Sequence, residues 1–387
     1  MFTTALHAGF SSVGVDTIDV GVLPVGGVSR LIRQLEAPLG VMVSASHNPA
    51  HDNGIKFLGP NGGKLDDEQE AIIESRYRRS APWQHPDFAL IGIRSNLDDP
   101  IGRYVDNLAE NVAYSLRGLE FVMDCANGAA YQAAPRLFEQ LGATVEVHAD
   151  NPDGLNINAG CGATEPTYIA GLVEGRVGLA FDGDADRLIA VDENGDVANG
   201  DVLMAVFAKH LKDAGKLKNN VVVSTVMANL GFRRAMEDLG VDIEETAVGD
   251  RYVYEGMRRV KAALGGEQSG HIIFYRGTTG DGLRTAVRLA EVLAATGKPL
   301  AELRKVITEY PQVLRNIPVA NKGKLETAGA IWDAVCDAER ELGDDGRILV
   351  RASGTEPLVR VMVEAATSEV AGRVATELSA VVADTLR

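Results

Sequence analysis

Three aspartates at alternate positions are the residues whose type and spacing most clearly indicate chemistry. Asp182, Asp184 and Asp186 lie in the segment FDGDADRLIAVDENG, residues 181–195. In an extended loop alternate side chains point the same way, so we expect the three carboxylates to converge on one point. Converging carboxylates repel one another unless a cation lies between them, and their hard oxygen atoms suit Mg²⁺. The spacing therefore predicts a magnesium site.

Two alternatives exist for this segment. In a calcium-binding EF-hand the aspartates would take the first three ligand positions and Glu193 the twelfth, but the sixth position should be glycine and is Arg187. The letters LIAV that follow Arg187 also predict a strand where an EF-hand has a loop. The other alternative is a solvated acidic turn, in which Arg187 only neutralises the carboxylates instead of binding a phosphate or carboxylate. We favour magnesium.

A second polar loop contains two serines. It lies in VSASHNPAHDNGIKF, residues 43–57, and includes Ser44 and Ser46. A serine hydroxyl is a poor nucleophile, but its phosphate ester is a good phosphoryl donor beside a divalent cation. Three carboxylates leave room on the cation for such a phosphate oxygen. The alternative is an ordinary polar turn, because Ser, Asn and Pro are common turn residues.

The segment RASGTEPLVR has the composition of a phosphate-binding loop. Arg351 and Arg360 can bind oxygen atoms in bidentate fashion. Ser353 and Thr355 offer hydroxyls, and Gly354 lets backbone N–H groups approach an anion closely. The segment is not a P-loop, because it lacks GK[ST] and lies between predicted strands. A plain β-turn with surface arginines is the alternative.

Four further residues are weaker candidates. In GGEQSGH, Glu267 and Ser269 lie between glycines and suit hydrogen bonding to sugar hydroxyls or to an amino group. Arg251 and Lys56 could be phosphate ligands or take part in proton transfer, although single basic residues are more often surface groups.

The candidate loops follow apolar runs that belong to three similar copies of an α/β plan. In each copy a predicted helix ends at a glycine, Gly14, Gly142 or Gly240, and a strand follows at once. Further along, each copy has an apolar run that meets a polar, glycine-containing loop. The pattern predicts three α/β domains whose strand-end loops form the site.

The copies differ at their beginnings. Copies two and three begin with the strands FVMDC (121–125) and VVVST (221–225), whereas copy one begins with a helix, MFTTALHAGF. The same spacing counted back from Gly14 places the corresponding strand before Met1. We therefore expect a chain truncated within its first domain, with an unpaired sheet edge or a poorly held first copy.

The remaining part of the chain predicts a small α+β domain. It has an amphipathic helix with Trp332 and Val335 on the buried face, then strand, turn, strand and a closing helix, and YPQVLRNIPV (310–319) is the predicted connection into it. The predicted fold is α/β, with three similar mixed-sheet α/β/α domains and a smaller α+β C-terminal domain around a central cleft. The predicted domain boundaries are 1–95, 96–198, 199–310 and 311–387.

Composition limits the class of protein. The chain has 387 residues, too many for one core, and a net charge of −16, which argues against nucleic acid or an anionic membrane as partner. Its three cysteines are far apart and suit neither a disulfide framework nor a metal-binding pair, so we expect a reducing cytoplasm. No signal peptide or membrane-spanning run is recognised.

The motifs SASHNP, DGDADR, GEQSGH and RASGTEPLVR together resemble those of the α-D-phosphohexomutase family, in the family's order and over essentially the whole chain. The segments DCANGAA and NPDGLNIN, together with Gln268, resemble the branch that acts on glucosamine phosphate. The branch that acts on mannose and glucose phosphates more often has Met at that position. The family's N-terminal TDG-x-RG-type motif is absent from this sequence, in agreement with the missing strand.

The resemblance implies an isomerase that interconverts glucosamine 6-phosphate and glucosamine 1-phosphate through a phosphoserine and a 1,6-bisphosphate, and so feeds UDP-N-acetylglucosamine and cell-wall precursor synthesis. It implies that Ser46 is the phosphoserine, that its phosphate and the three aspartates hold Mg²⁺, and that Lys56 and Arg187 lie by the reacting group. Glu267 and Ser269 would contact the sugar. The phosphate that is not transferred would be held by Arg351, Ser353, Gly354, Thr355 and Arg360.

The expected partner is therefore a small hexosamine phosphate, with no nucleic acid and no membrane, and the expected state is a monomer or homodimer. Two alternatives stay open. The substrate could be a mannose or glucose phosphate, or the truncated chain could be a non-catalytic sugar-phosphate binder.

Overall fold

The computed structural model describes residues 1–79, 86–353 and 356–387. The chain forms two compact bodies. The large body comprises residues 1–227 and 241–306, and the small body comprises residues 228–240 and 307–387.

The helices are α1 (Phe2–Ser12), α2 (Val25–Gln34), α3 (Asp67–Arg78), α4 (Pro100–Ala109), α5 (Ala130–Gln140), α6 (Thr167–Ala170), α7 (Gly200–Asp213), α8 (Leu230–Asp238), α9 (Asp250–Val260), α10 (Gly282–Thr296), α11 (Leu300–Leu303), α12 (Gly329–Leu342) and α13 (Ser368–Thr385). The strands are β1 (Thr17–Asp19), β2 (Gly40–Val43), β3 (Ile55–Leu58), β4 (Arg94–Asn96), β5 (Glu120–Asp124), β6 (Thr144–His148), β7 (Val177–Phe181), β8 (Leu188–Val191), β9 (Val197–Ala198), β10 (Val221–Thr225), β11 (Asp242–Thr246), β12 (Leu264–Gly266), β13 (Ile272–Phe274), β14 (Gln312–Pro318), β15 (Gly346–Ala352) and β16 (Leu358–Ala365). No helix of the described ranges is both long and apolar enough to cross a bilayer.

Copies two and three of the large body each contain a mixed sheet. The strand orders are β6-β5-β7-β8-β9 and β11-β10-β12-β13. The inner strands β5 and β10 are parallel to both neighbours, and the β7–β8 and β12–β13 pairs are antiparallel. Both β7 and β10 are buried throughout, as expected for strands covered on two faces by helices or loops.

The predicted helix–glycine–strand plan is confirmed in all three copies. Gly14, Gly142 and Gly240 follow α1, α5 and α8 and have φ values of +84°, +90° and +59°. Glycine is favoured there because a Cβ would strain a left-handed backbone. The strands β1, β6 and β11 start within a few residues of these glycines.

The strands of copy one form two separate ribbons. β1 pairs with β4 in parallel, and β2 pairs with β3 in antiparallel fashion. Among the described residues β1 and β2 therefore each have one strand neighbour, which agrees with the expected free sheet edges.

The small body is an antiparallel sheet of order β14-β16-β15 with α12 and α13 against it. Two predictions were wrong here. Residues 310–319 are not merely a connection, because β14 is an edge strand of this sheet. In α12 the buried side chains are Ile331 and Val335, whereas Trp332 is 36% exposed and its ring N–H donates to the Leu325 carbonyl.

Candidate active site

The aspartate loop connects β7 to β8. The Ala185 N–H donates to the Asp182 carbonyl at 2.9 Å, so the loop is a tight turn and not the extended segment that we expected. The carboxylates nevertheless converge, because the turn directs them to one side. One ligand oxygen from each of Asp182, Asp184 and Asp186 lies within 4.8 Å of the others, and all three side chains are buried.

The chemistry of this cluster fits a metal ion. Asp184 Oδ1 and Asp186 Oδ1 are buried without a hydrogen-bond partner among the described residues. Burial, together with the charges of Asp186 and Asp184, raises the pKa of Asp182 well above its ordinary value. Buried carboxylate oxygens without donors are stabilised by a hard divalent cation, which takes oxygen ligands. The triad is therefore capable of holding a metal.

The serine loop lies directly against the aspartate loop. Ser46 Oγ donates to Asp182 Oδ2 at 2.7 Å, and Ser44 Oγ donates to Asp184 Oδ2 at 3.0 Å. The Ser44 hydroxyl also accepts from the Ser46 N–H at 2.9 Å. Each hydroxyl is thus hydrogen-bonded to a different carboxylate, Ser46 to Asp182 and Ser44 to Asp184.

The backbones of the two loops are in close contact. A Cβ added at Gly183 would lie 2.4 Å from the Ser46 carbonyl oxygen, so a side chain there would separate the loops. Asn158 Nδ2 donates to the carbonyl oxygens of Ser46 and Asn48, both at 2.9 Å. Asn158 ends the segment NPDGLNIN, and its place in the site was not predicted from the sequence.

Two predicted cationic residues lie beside the aspartates. Lys56 Nζ is 2.5 Å from Asp184 Oδ2 and 3.8 Å from Asp186 Oδ2. Burial lowers the pKa of Lys56, but the charges of Asp184 and Asp186 more than offset this, and the net pKa is raised. Arg187 donates its backbone N–H to Asp182 Oδ1 at 3.1 Å, and its Nε is 3.8 Å from Asp186 Oδ1.

Two histidines near this cluster were not selected from the sequence. His271 is buried, accepts at Nε2 from the Gly280 N–H at 3.1 Å, and lies 3.8 Å from Asp186 Oδ2 and 3.5 Å from Asp250 Oδ2. Burial, followed by the charge of Arg187, lowers the pKa of His47. Both belong to quoted motifs, but a lone histidine next to polar neighbours carries no pattern that separates it from a structural residue.

The loop after β12 holds the predicted sugar contacts. Glu267 Oε1 accepts from the Gly249 N–H at 2.9 Å, at the start of α9, and Ser269 Oγ is buried without a partner among the described residues. The guanidinium of Arg251 is paired with Asp67 and, at 2.9 Å, with Glu255. In the structure Arg251 is thus held by carboxylates, and no hydrogen bond or ion pair of the described residues joins it to the aspartate loop.

The predicted phosphate-binding segment lies in the small body. Arg351 and Arg360 face each other across β15 and β16, and burial, then the charge of Arg360, lowers the pKa of Arg351. Like charges directly opposite each other destabilise a sheet, so an anion between them would relieve the repulsion. Ser353 is buried and accepts at Oγ from the Glu356 N–H at 3.2 Å. Gly354 and Thr355 lie outside the described residues.

One cation beside this segment was missed. Lys322 Nζ donates to the carbonyl oxygens of Ser353 at 2.6 Å and of Glu356 at 3.0 Å. Its position in the sequence, 31 residues before Ser353, gave no signal of this contact.

Comparison with known proteins identifies the family. Profiles described as "Phosphoglucomutase/phosphomannomutase" match the chain as alpha/beta/alpha domain I at residues 1–82, domain II at 102–195, domain III at 199–310 and the C-terminal domain at 314–381. The chain belongs to the phosphoglucomutase/phosphomannomutase family. The predicted membership of the phosphohexomutases, the fold class and the assignment as an isomerase are thereby confirmed.

Relatives of this phosphohexomutase are named phosphoglucosamine mutase. The protein from Rhodococcus opacus is 48% identical over 390 residues, which cover 99% of this chain and 87% of that protein. The protein from Streptomyces griseus is 49% identical over 389 residues, with 99% of this chain and 86% of the relative covered. The predicted resemblance to the glucosamine branch is confirmed.

Solved structures share the fold of this phosphohexomutase. A phosphoglucomutase/phosphomannomutase family protein from Burkholderia thailandensis aligns with a TM-score of 0.78 at 24% identity, covering 99% of this chain and 86% of its own. Aspergillus fumigatus N-acetylphosphoglucosamine mutase in complex with GlcNAc-6P and magnesium aligns with a TM-score of 0.73 at 20% identity, covering 94% of this chain and 93% of its own.

Proposed function

We propose that this chain interconverts glucosamine 6-phosphate and glucosamine 1-phosphate through a phosphorylated Ser46. The observation that carries the proposal is the 2.7 Å contact of Ser46 Oγ with Asp182 at the edge of the buried acidic triad. The relatives named phosphoglucosamine mutase, at 48–49% identity, support the choice of sugar.

Ser46 carries the phosphoryl group in this scheme. In the first half-reaction the bond between Ser46 Oγ and phosphorus breaks, a bond from phosphorus to the free sugar hydroxyl oxygen forms, and the hydroxyl proton passes through a base to Ser46 Oγ. The product is glucosamine 1,6-bisphosphate. After this intermediate reorients, the bond between its other phosphorus and the sugar oxygen breaks, and that phosphoryl group forms a bond to Ser46 Oγ. The serine proton passes to the sugar oxygen, the second monophosphate leaves, and the phosphorylated enzyme is regenerated.

Asp182, Asp184 and Asp186, with a phosphate oxygen on Ser46, are the proposed ligands of Mg²⁺. The bound ion would offset the charge of the transferring group and polarise it. Lys56 adds a fixed positive charge at the same place, because Asp184 lies 2.5 Å from its ammonium group. Arg187, whose Nε lies 3.8 Å from Asp186 Oδ1, would bind phosphate oxygens.

The remaining residues recognise the sugar phosphate. The unpartnered hydroxyl of Ser269 is available for a sugar hydroxyl or amino group, beside Glu267. Arg251 would serve as a phosphate ligand only by exchanging its present carboxylate partners. In the small body, the phosphate that is not transferred is assigned to Arg351, Ser353, Gly354, Thr355 and Arg360. A monomer or homodimer that works in the cytoplasm, without nucleic acid or membrane, stays a prediction.

Phosphoprotein mass spectrometry tests the central residue. The purified protein should show a fraction heavier by about 80 Da, the mass of one phosphoryl group, and peptide mapping should place it on Ser46. The Ser46→Ala variant should lose both this mass and turnover. Ser44→Ala is the matched control, because it removes a hydroxyl from the same loop. The proposal fails if the phosphoryl group stays in Ser46→Ala or disappears only in Ser44→Ala.

Substrate comparison tests the sugar. Rates on glucosamine, glucose and mannose 6-phosphates with one preparation should favour glucosamine; a preference for glucose or mannose would support the alternative that the family description also covers. A protein that binds glucosamine 6-phosphate equally well as parent and Ser46→Ala, and never carries a phosphoryl group, would instead be a non-catalytic binder.

A further inference from the structure

Asn53 and Gly54 form an Asn-Gly pair at the end of the serine loop, directly before β3. Asn-Gly pairs are the most prone to spontaneous deamidation, because glycine has no Cβ to hinder its backbone nitrogen when that nitrogen attacks the asparagine side chain. The sequence contains five such pairs, and they begin at Asn53, Asn61, Asn127, Asn194 and Asn199. The backbone of each pair decides whether it can react.

In four of these pairs the glycine N–H donates a hydrogen bond to a main-chain carbonyl. The donors are Gly62, Gly128, Gly195 and Gly200, and the acceptors are Gly59 at 2.8 Å, Cys125 at 2.8 Å, Asp192 at 3.0 Å and Gln268 at 2.9 Å, in that order. A nitrogen held in this way cannot turn towards the neighbouring side chain. These four pairs must therefore open locally before they can deamidate.

The pair in the serine loop differs from the other four. In the part of the chain that the structure describes, no hydrogen bond has the Gly54 N–H as its donor. Asn53 is exposed, and the one hydrogen bond of its side chain among the same residues is long, from Nδ2 to the His51 carbonyl at 3.5 Å. The attacking nitrogen and the side chain that it attacks are thus both free to move.

We propose that Asn53 is a site of spontaneous deamidation, at which asparagine is converted to aspartate and isoaspartate. The Gly54 nitrogen loses its proton to hydroxide and forms a bond to Asn53 Cγ. The bond between Cγ and Nδ2 breaks, and the leaving nitrogen takes a proton from water and departs as ammonia. Water then hydrolyses the succinimide ring. Opening at Cγ gives aspartate, whereas opening at the main-chain carbonyl gives isoaspartate, whose main chain runs through Cγ.

Isoaspartate would disturb the serine loop, because it adds a carbon atom to the main chain directly before Gly54. The Gly54 carbonyl accepts from the Ser44 N–H at 2.9 Å, and a Cβ on Gly54 would lie 2.5 Å from the Ser44 carbonyl oxygen. The two backbones are therefore in close contact. The Ser44 hydroxyl in turn accepts from the Ser46 N–H. Loss of activity through this displacement rests on the proposed function, whereas the modification itself does not.

Peptide mapping of the aged protein tests the site without any turnover measurement. The purified protein is incubated at neutral and at mildly alkaline pH, and the gain of about 1 Da on deamidation is measured by mass spectrometry for all five pairs in one sample. We expect Asn53 to convert about fivefold or more faster than each of the others, because each of those must first break a hydrogen bond. The conversion should be faster at the higher pH, since the attacking nitrogen must lose its proton. In denaturant the five rates should converge.

A pair of variants tests the effect on the loop. Asn53→Gln disfavours ring closure, because its longer side chain requires a larger ring, and Asn194→Gln makes the same change at a pair whose glycine N–H is hydrogen-bonded. Each protein is compared with its own initial state. On ageing, the parent and Asn194→Gln should lose turnover in proportion to the isoaspartate formed, and hydrogen exchange at the Ser44 amide should become faster. Asn53→Gln should show neither change.

Three results would overturn the site. They are no added mass at residue 53, conversion at another pair as fast as at Asn53, and an advantage of Asn53 that is equally large in denaturant, where the fold cannot be its cause. Unchanged hydrogen exchange at Ser44 in fully modified protein would overturn the effect on the loop. Modification at residue 53 in a protein without any initial turnover would leave the site in place and count against the proposed function alone. The comparison of the five pairs needs no variant, so it remains decisive if Asn53→Gln does not fold.

Discussion

Asn158 should control activity through the backbone of the serine loop. Its amide donates two hydrogen bonds, to the carbonyl oxygens of Ser46 and Asn48. Each neutral hydrogen bond contributes about 1 kcal/mol net, so the Asn158→Gly variant loses about 2 kcal/mol of loop restraint. If the transition state requires the ordered loop, kcat/KM should fall about 30-fold, since about 1.4 kcal/mol corresponds to a factor of ten. Glycine suits the test because the backbone of Asn158 is left-handed, with φ +57°.

Asn156→Gly is the matched control. Asn156 also makes two side-chain hydrogen bonds, with the Asn151 carbonyl and the Asp153 N–H, both at 3.0 Å, but they lie within its own turn. Both variants should lower the melting temperature by similar amounts, while only Asn158→Gly should lower kcat/KM for glucosamine 6-phosphate strongly. The reasoning is refuted if the two variants lose equal activity, or if Asn158→Gly stays within about twofold of the parent, well short of the 30-fold expected from the lost restraint.

Three further predictions concern the metal, the phosphate and a buried acid. Asp184→Asn should weaken Mg²⁺ binding in calorimetry and abolish cation-dependent turnover. The control, Asp196→Asn at an exposed position, should change neither. Unchanged Mg²⁺ binding in Asp184→Asn would contradict the assignment of Asp184 as a metal ligand. Arg351→Gln should raise KM about 10- to 100-fold, since a hydrogen bond to a charged group contributes about 1.5–3 kcal/mol. The control is Arg315→Gln, on the exposed part of β14, and an unaltered KM in Arg351→Gln counts against the phosphate site. Burial raises the pKa of Glu364 above 4.5, so the folded parent loses stability as pH rises from the unfolded-state pKa through the folded-state pKa. The melting temperature of Glu364→Gln should therefore rise relative to that of the parent above about pH 4.5. A difference in melting temperature that is independent of pH would be inconsistent with this prediction.

The central strands β7 and β10 of copies two and three were predictable because each contains a run of apolar residues. β7 and β10 are buried on both faces, so every residue along each strand lies in the core. β14 was missed because it is an edge strand with Leu314, Arg315 and Asn316 exposed, which leaves no alternation to recognise. For α12, helical periodicity identified the apolar stripe, but not that Ile331 and Val335 would fill the core and leave Trp332 at its margin.

The site was predictable where its residues share one short motif. The three aspartates were predicted from their alternate spacing, whereas Ser46 was preferred to Ser44 only through the resemblance to the family. The turn of the aspartate loop was not predicted. It depends on a left-handed backbone at Ala185, with φ +57°, and alanine rarely adopts that conformation, so the residue type gives no sign of it. Asn158 and Lys322 each donate to two backbone carbonyls of a loop distant in sequence, and such contacts exist only once the chain is folded.

The contact between Gly183 and the Ser46 carbonyl has a consequence for ion selectivity. Main-chain atoms in contact adjust less than long side chains do, so we expect the distance between the two loops to change little when an ion binds. Ca²⁺ requires ligands at about 2.3–2.6 Å and more of them, whereas Mg²⁺ takes six at about 2.0–2.1 Å. Discrimination by ionic radius would therefore depend on how the backbone spaces the carboxylate ligands, and not on those ligands alone.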